Sequence, residues 1–140
     1  MLALAGSADY FNPAIAGQVN VALSPRQPGS AIKPLTYAAA FERGFSPADV
    51  LADVRTVFTT RRGESYIPVN YDHQYHGPLS LRTALASSIN GVAVRLLDRI
   101  GVGALIDLGQ QLGLSTWRDV ERYDLALTLG GGEVTLLDLR

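Results

Sequence analysis

Between Ser30 and Arg43 the sequence reads as a helix that is apolar on nearly every side, with Ala31, Ile32, Leu35, Tyr37, Ala38, Ala39 and Phe41 leaving no continuous polar stripe. A surface helix has one apolar face, whereas a helix apolar around most of its circumference needs other elements packed about it. The segment must therefore be a central helix, and the rest of the chain has to supply its cover. Pro28-Gly29 marks a sharp turn immediately ahead of it. Pro34 is tolerated only near a helix start, which places Ser30 at or beside the N-terminus of a helix predicted over residues 30–43.

With 140 residues, the chain has room for one domain at most. Its 47% hydrophobic content is ordinary for a globular core and can enclose such a helix. The first six residues read as a strand ending at Gly6, followed by a turn-rich stretch from Asp9 to Pro25. Between Ser46 and Gly77, short β-like pieces are expected at Val54–Thr59 and Tyr66–Asn70, with Arg61-Arg62-Gly63 as an exposed turn. From residue 80 to 140 the pattern predicts a helical subdomain. Ser80 is expected to cap Leu81–Ser87, and Asn90 to cap Gly91–Ile100, which Gly101 ends. A further helix fits Gly103–Gln111, Trp117 falls in a polar connector, and Thr135-Leu-Leu-Asp138 reads as a capping box. A strand at one end and a helix opening at the other predict a partial domain.

Several functional classes are excluded. A net charge of −1 and no basic patch argue against nucleic-acid binding. Without cysteine there is no disulfide framework and no thiolate metal site. No apolar run approaches the ~20 residues of a spanning helix, and Met1–Ala5 is too short for a signal peptide. His73 and His76 near Asp72 are too loosely spaced for a metal centre and read as solvated turn residues. Gly130–Gly132 has no lysine behind it and reads as a hinge or helix lead-in rather than a phosphate loop. No cofactor and no metal are expected.

Arginine occurs eleven times and lysine once, at Lys33. Arginine stays protonated in proteins, whereas a buried lysine amine can titrate. A single lysine can also arise by chance, so its neighbours decide. Ser30 precedes it by three residues, a spacing that puts both side chains on one helix face. A serine hydroxyl needs a base to become a nucleophile, and a desolvated lysine can be that base. Exposed N–H groups at the helix start favour developing negative charge. A second pair, Ser88 and Asn90, lies between two predicted helices, where a hydroxyl could relay a proton and a carboxamide could bind a carbonyl. Both residues are equally common as helix caps.

Together these signals match the S-x-x-K and S-x-N elements of β-lactamases and penicillin-binding proteins. The stretch Arg26-Gln-Pro-Gly-Ser-Ala-Ile-Lys-Pro34 closely resembles the nucleophile segment of class A penicillin-binding proteins. Leu81-Arg-Thr-Ala-Leu-Ala-Ser-Ser-Ile-Asn-Gly-Val-Ala-Val94 resembles their second motif region, Leu129 to Leu139 a segment that follows it, and Leu4–Tyr10 the end of the strand before the nucleophile helix. The resemblance covers essentially the whole chain in the right order. It implies an α/β (α+β) fold of the penicillin-recognising serine enzyme class, here mostly helical and incomplete.

The same resemblance implies a D,D-transpeptidase in which Ser30 attacks the D-alanyl-D-alanine bond of a peptidoglycan stem peptide. Lys33 would be the base, Ser88 and Asn90 would complete proton relay and substrate binding, and β-lactam antibiotics would trap Ser30. It also implies a place on the extracytoplasmic face of the bacterial membrane. The third motif, K-T-G or a variant, is not among these residues: Lys33 is the only lysine, and neither His73 nor His76 continues correctly. The missing C-terminal part of the domain is thus an expected partner, and part of the nucleophile helix should be left uncovered. Competing readings are a β-lactamase or D,D-carboxypeptidase on the same fold, with Glu64 or Glu133 as a weak choice of deacylating base, and a non-catalytic remnant or binding module.

Overall fold

The computed structural model describes residues 3–140, a mixed helix and strand arrangement that is mostly helical. The central helix is present but begins differently from the sequence expectation. Gly29–Ile32 form a 3-10 turn, and the α-helix proper, α1, runs Lys33–Phe41. Pro34 explains the change. An α-helix starting at Ser30 would need the residue 34 N–H to bond the Ser30 carbonyl, and proline has none. The Lys33 N–H bonds that carbonyl instead, one residue earlier.

Four short strands follow in two antiparallel pairs. β1 (Val50–Asp53) pairs with β4 (Gly77–Ser80), placing Asp53 opposite Gly77. β2 (Phe58–Thr59) pairs with β3 (Ser65–Tyr66) across the Arg61–Gly63 turn. The β-like pieces expected at Val54–Thr59 and Tyr66–Asn70 therefore survive only at Phe58, Thr59 and Tyr66. The β1–β4 pair was hidden by Gly77 and Pro78, residues that disfavour strands except at edges such as this one. The opening strand expected over residues 1–6 falls partly on Met1 and Leu2, outside the described residues. Ala3–Gly6 join neither ladder; the Gly6 carbonyl accepts a single bond from Val21 N–H at 2.8 Å.

Ser80 caps α2 (Leu81–Ala86), its hydroxyl accepting from Thr83 N–H at 3.2 Å. α3 covers Asn90–Ile100 and ends at Gly101, where φ is 82°; α4 covers Val102–Gln111. Asn90 is the first residue of α3 rather than its cap. Beyond Gln111 the expected helical subdomain thins to 3-10 turns at Val120–Arg122 and Leu125–Leu129 and the short α5, Leu136–Leu139. Thr135 caps α5, but the Asp138 carboxylate does not complete a capping box; it accepts from Ser115 N–H and Oγ–H.

α1 packs against α3, α4 and the Leu125–Leu129 turn. Ile32, Val94, Leu105, Ile106, Trp117 and Leu127 fill one side of the core, and Tyr37, Ala40, Leu51, Leu81, Val92 and Leu96 the other. Trp117, in its polar connector, is fully buried because Gly109 of α4 and Gly132 leave room for its indole. Pro34, Ala38 and Phe41 remain exposed. Their spacing makes one stripe along α1, the uncovered face that the sequence leads one to expect. No helix among the described residues is long and apolar enough to cross a membrane.

Candidate active site

The 3-10 turn ahead of α1 sets the relation of Ser30 to Lys33. In that geometry residues i and i+3 eclipse each other, so the two side chains leave the backbone in line. Ser30 is exposed, and its hydroxyl takes no hydrogen-bond partner among the described residues. Lys33 is 1% exposed. Its ammonium donates to the Ser88 carbonyl at 2.5 Å, to Ser88 Oγ at 2.9 Å and to Asn90 Oδ1 at 2.6 Å. No carboxylate among the described residues pairs with it. Burial without a counter-charge pushes its pKa down from the usual range to about 8.

Ser88 reaches Lys33 through an unusual backbone. It lies in the turn between α2 and α3 with φ at 52°, the left-handed region that non-glycine residues avoid. That turn aims both its carbonyl and its hydroxyl at the amine. Asn90 follows, its Nδ2 donating to the Val69 carbonyl at 2.7 Å. This bond fixes which end of the carboxamide faces Lys33, and the second Nδ2 proton has no partner among the described residues.

Ser30, Ser88 and Asn90 line one cleft of about 490 Å³, whose other wall is Asn70, Tyr71 and Asp72. Lys33 lies behind that surface. A larger cavity of about 590 Å³, beside Arg118, Arg122 and Glu133, contains none of the four residues. Three of the four sequence-predicted site residues thus line the cleft and the fourth, Lys33, bonds two of them, whereas Glu64 and Glu133 fall outside it.

Sequence reasoning missed a second polar cluster behind the cleft. Asp53 is fully buried, and its Oδ2 accepts from Asn70 Nδ2 at 2.8 Å and from His76 N–H at 3.0 Å. His76, expected in a solvated turn, spans two carboxylates: Nδ1 is 2.8 Å from Asp53 and Nε2 3.0 Å from Asp72. Its pKa is raised, chiefly by the hydrogen bond to Asp53. Two signals were available in the sequence. Asp53 is a lone acid closing the apolar run Val50-Leu51-Ala52, and Gly91 sits in the first turn of a helix, where a side chain there would collide with the Asp53 carboxylate.

An exposed hydroxyl at a helix start, in line with a buried amine that can lose its proton, suits nucleophilic acyl transfer. The model of the penicillin binding protein transpeptidase domain matches residues 1–126. Over 115 residues the chain is 42% identical to penicillin-binding protein 1A of Aquifex aeolicus, covering 81% of this chain and 15% of that one. It is 35% identical over 136 residues to penicillin-binding protein 1C of Escherichia coli, covering 96% and 17%. The solved structure of penicillin-binding protein 1A from Haemophilus influenzae superposes with a TM-score of 0.78 at 31% identity, over 89% of this chain and 19% of that one. Penicillin-binding protein A of M. tuberculosis, solved as an imipenem acyl-enzyme complex, gives 0.75 at 26% identity, over 92% and 34%.

The chain belongs to the penicillin-binding protein transpeptidase family and has its fold. It spans 15–17% of the length of these two curated relatives.

Proposed function

We propose that this chain carries the nucleophile-bearing half of a serine D,D-transpeptidase that cross-links peptidoglycan stem peptides. The observation that carries the reading is the buried, carboxylate-free Lys33 amine in line with Ser30 and bonded to Ser88 and Asn90. Neutral Lys33 takes the Ser30 proton as Oγ bonds to the penultimate D-alanine carbonyl of the donor peptide. The Ser30 N–H contributes to holding the oxyanion. The C–N bond then breaks, and Ser88 passes the proton from Lys33 to the departing D-alanine nitrogen. An amine from a neighbouring stem peptide resolves the ester, returning Ser30 to its hydroxyl form. The second Nδ2 proton of Asn90 binds a substrate carbonyl.

A β-lactam enters the same path, its ring amide opening on Ser30 while the leaving nitrogen stays tethered. The site works on the extracytoplasmic face of the membrane, where stem peptides are. Hydrolytic release is disfavoured because Glu64 and Glu133 lie outside the cleft, and its one carboxylate, Asp72, is engaged by His76.

Intact mass after incubation with benzylpenicillin, beside a Ser30→Ala control, tests the assignment. A single penicilloyl adduct on the parent and none on the control is the expected result. No adduct on a parent with the circular dichroism of a folded chain would overturn it.

A further inference from the structure

The helix that begins with Asn90 is capped by a residue from elsewhere. Ile89, at its N-cap position, has no side chain able to cap, and Asn90 turns its own carboxamide to Lys33 and Val69. Asn70 Oδ1 instead accepts from Asn90 N–H at 2.9 Å and from Gly91 N–H at 3.2 Å. These are two of the donors that a helix start leaves unsatisfied. Asn70 Nδ2 donates to Asp53 Oδ2 and to the Gln74 carbonyl, each at 2.8 Å. Asp53 is held in turn by the His76 backbone and ring, and the ring also meets Asp72. The chain of bonds runs from a partly exposed histidine, through a buried carboxylate and amide, to the backbone of the residue that bonds Lys33.

We propose that Asp53, Asn70 and His76 form a clamp that positions the Ser88–Asn90 turn against Lys33. Asn70 caps α3 from outside, which frees the Asn90 carboxamide for the cleft. All three are positioning residues, since none touches Lys33 or Ser30. Asp53 and Asp72 are the titratable groups facing His76, from β1 and from its own loop. The geometric claim stands on the hydrogen bonds alone; its effect on catalysis rests on the acyl-transfer reading above.

The test compares the parent with Asn70→Ala by two readouts. In stopped-flow reaction with a chromogenic β-lactam, amplitude reports the folded fraction, whereas the rate constant reports the geometry of the folded site. Displacing reacting groups by about 1 Å can cost about a hundredfold in rate, so a fall of ten- to a hundredfold at undiminished amplitude is expected. Independently of acylation, Lys33 is the chain's only lysine, so its side-chain NMR titration is assigned without ambiguity. A loosened turn admits water, and the Lys33 midpoint should rise from about 8 towards the ordinary lysine value.

Reduced amplitude with unchanged rate constant and Lys33 midpoint would overturn the proposal, leaving Asn70 with a stabilising role only. If Asn70→Ala does not fold, His76→Ala breaks the outer link, and an unchanged rate and midpoint in that variant overturn it equally. Should the parent not acylate, the transpeptidase reading fails, while the Lys33 midpoint still decides the clamp.

Discussion

Lys33 spends all three of its protons on Ser88 and Asn90 and meets no carboxylate, so its ammonium is fully bonded yet uncompensated in charge. Once deprotonated it keeps two donors and gains a lone pair, which one of the hydroxyls can use. The acylation rate should therefore climb about tenfold per pH unit below the Lys33 pKa of about 8 and level off above it, as measured by β-lactam trapping across pH 6–10. Lys33→Arg keeps the charge but cannot supply a base, and should slow acylation about a thousandfold on the plateau above pH 8 while flattening the pH profile below it. Ser88 separates strain from chemistry. Its left-handed backbone costs about 1–2 kcal/mol in any residue but glycine. Ser88→Gly should raise stability by about 1 kcal/mol in urea unfolding while losing the relay hydroxyl. Ser88→Ala should lose the hydroxyl and gain nothing. The pairing of Ser30 with Lys33, and of Ser88 with Asn90, was legible because three-residue and two-residue spacings are local. The strained turn that joins the pairs was not, because φ is set by what α2, α3 and Lys33 jointly require.

At several places in this fold a glycine marks where one segment presses on another, and Gly130 is one of them. Gly130, at φ 93°, crosses Gly29, so that a Cβ there would come within 2.5 Å of the Gly29 Cα. Just beyond, Arg26 and Val134 exchange two backbone bonds of 2.9 Å, tying this segment to the one that leads into Ser30. The run Gly130–Gly132 is thus a packing contact on the nucleophile turn and on Trp117 rather than the hinge or helix lead-in its composition suggests. Gly91 and Gly103 make a controlled pair, since both sit in first helical turns at ordinary φ. A side chain at Gly91 collides with the buried Asp53 carboxylate, whereas nothing lies within 4 Å of one at Gly103. Gly91→Ala should destabilise by about 2 kcal/mol or more, by displacing a hydrogen-bonded buried charge. Gly103→Ala should stabilise by about 0.5–1 kcal/mol through the unfolded chain. Thermal unfolding reads both, and equal signs would contradict the packing described. Helices α2, α3 and α4 were legible to within a residue or two because caps and glycine stops are local signals. β1 and β4 were not, since each has its meaning only in the other's company.

Taken as one body, the chain closes its core around α1 on three sides and leaves the stripe Pro34, Ala38, Phe41 to solvent. That asymmetry was legible only through the family resemblance, which implied that part of the nucleophile helix would lack its cover, and not from the helix's own composition. The pH dependence of stability was not, because it comes from burial and partners that no spacing announces. His76 has a raised pKa in the folded state, so the stability it contributes is complete below the unfolded value of 6.5 and fades as pH rises through the folded one. Lys33 has the opposite sign. Its folded pKa of about 8 lies below the unfolded 10.5, so the folded state binds fewer protons between them and stability must rise over that window. The gain is about 3–4 kcal/mol, taking about 1.4 kcal/mol per pKa unit. Tyr37 and Tyr66, their pKa values raised by burial, reverse the trend above pH 10, where the unfolded phenols ionise first. Melting temperature plotted against pH should therefore show a trough near pH 8, the same pH at which the amine becomes a base. His76→Gln should remove the descending side, and Lys33→Met the ascending side. A parent curve that falls steadily from pH 7 to 10 would show that Lys33 keeps an ordinary pKa in the folded chain, and the reading of it as a general base would fall with that result.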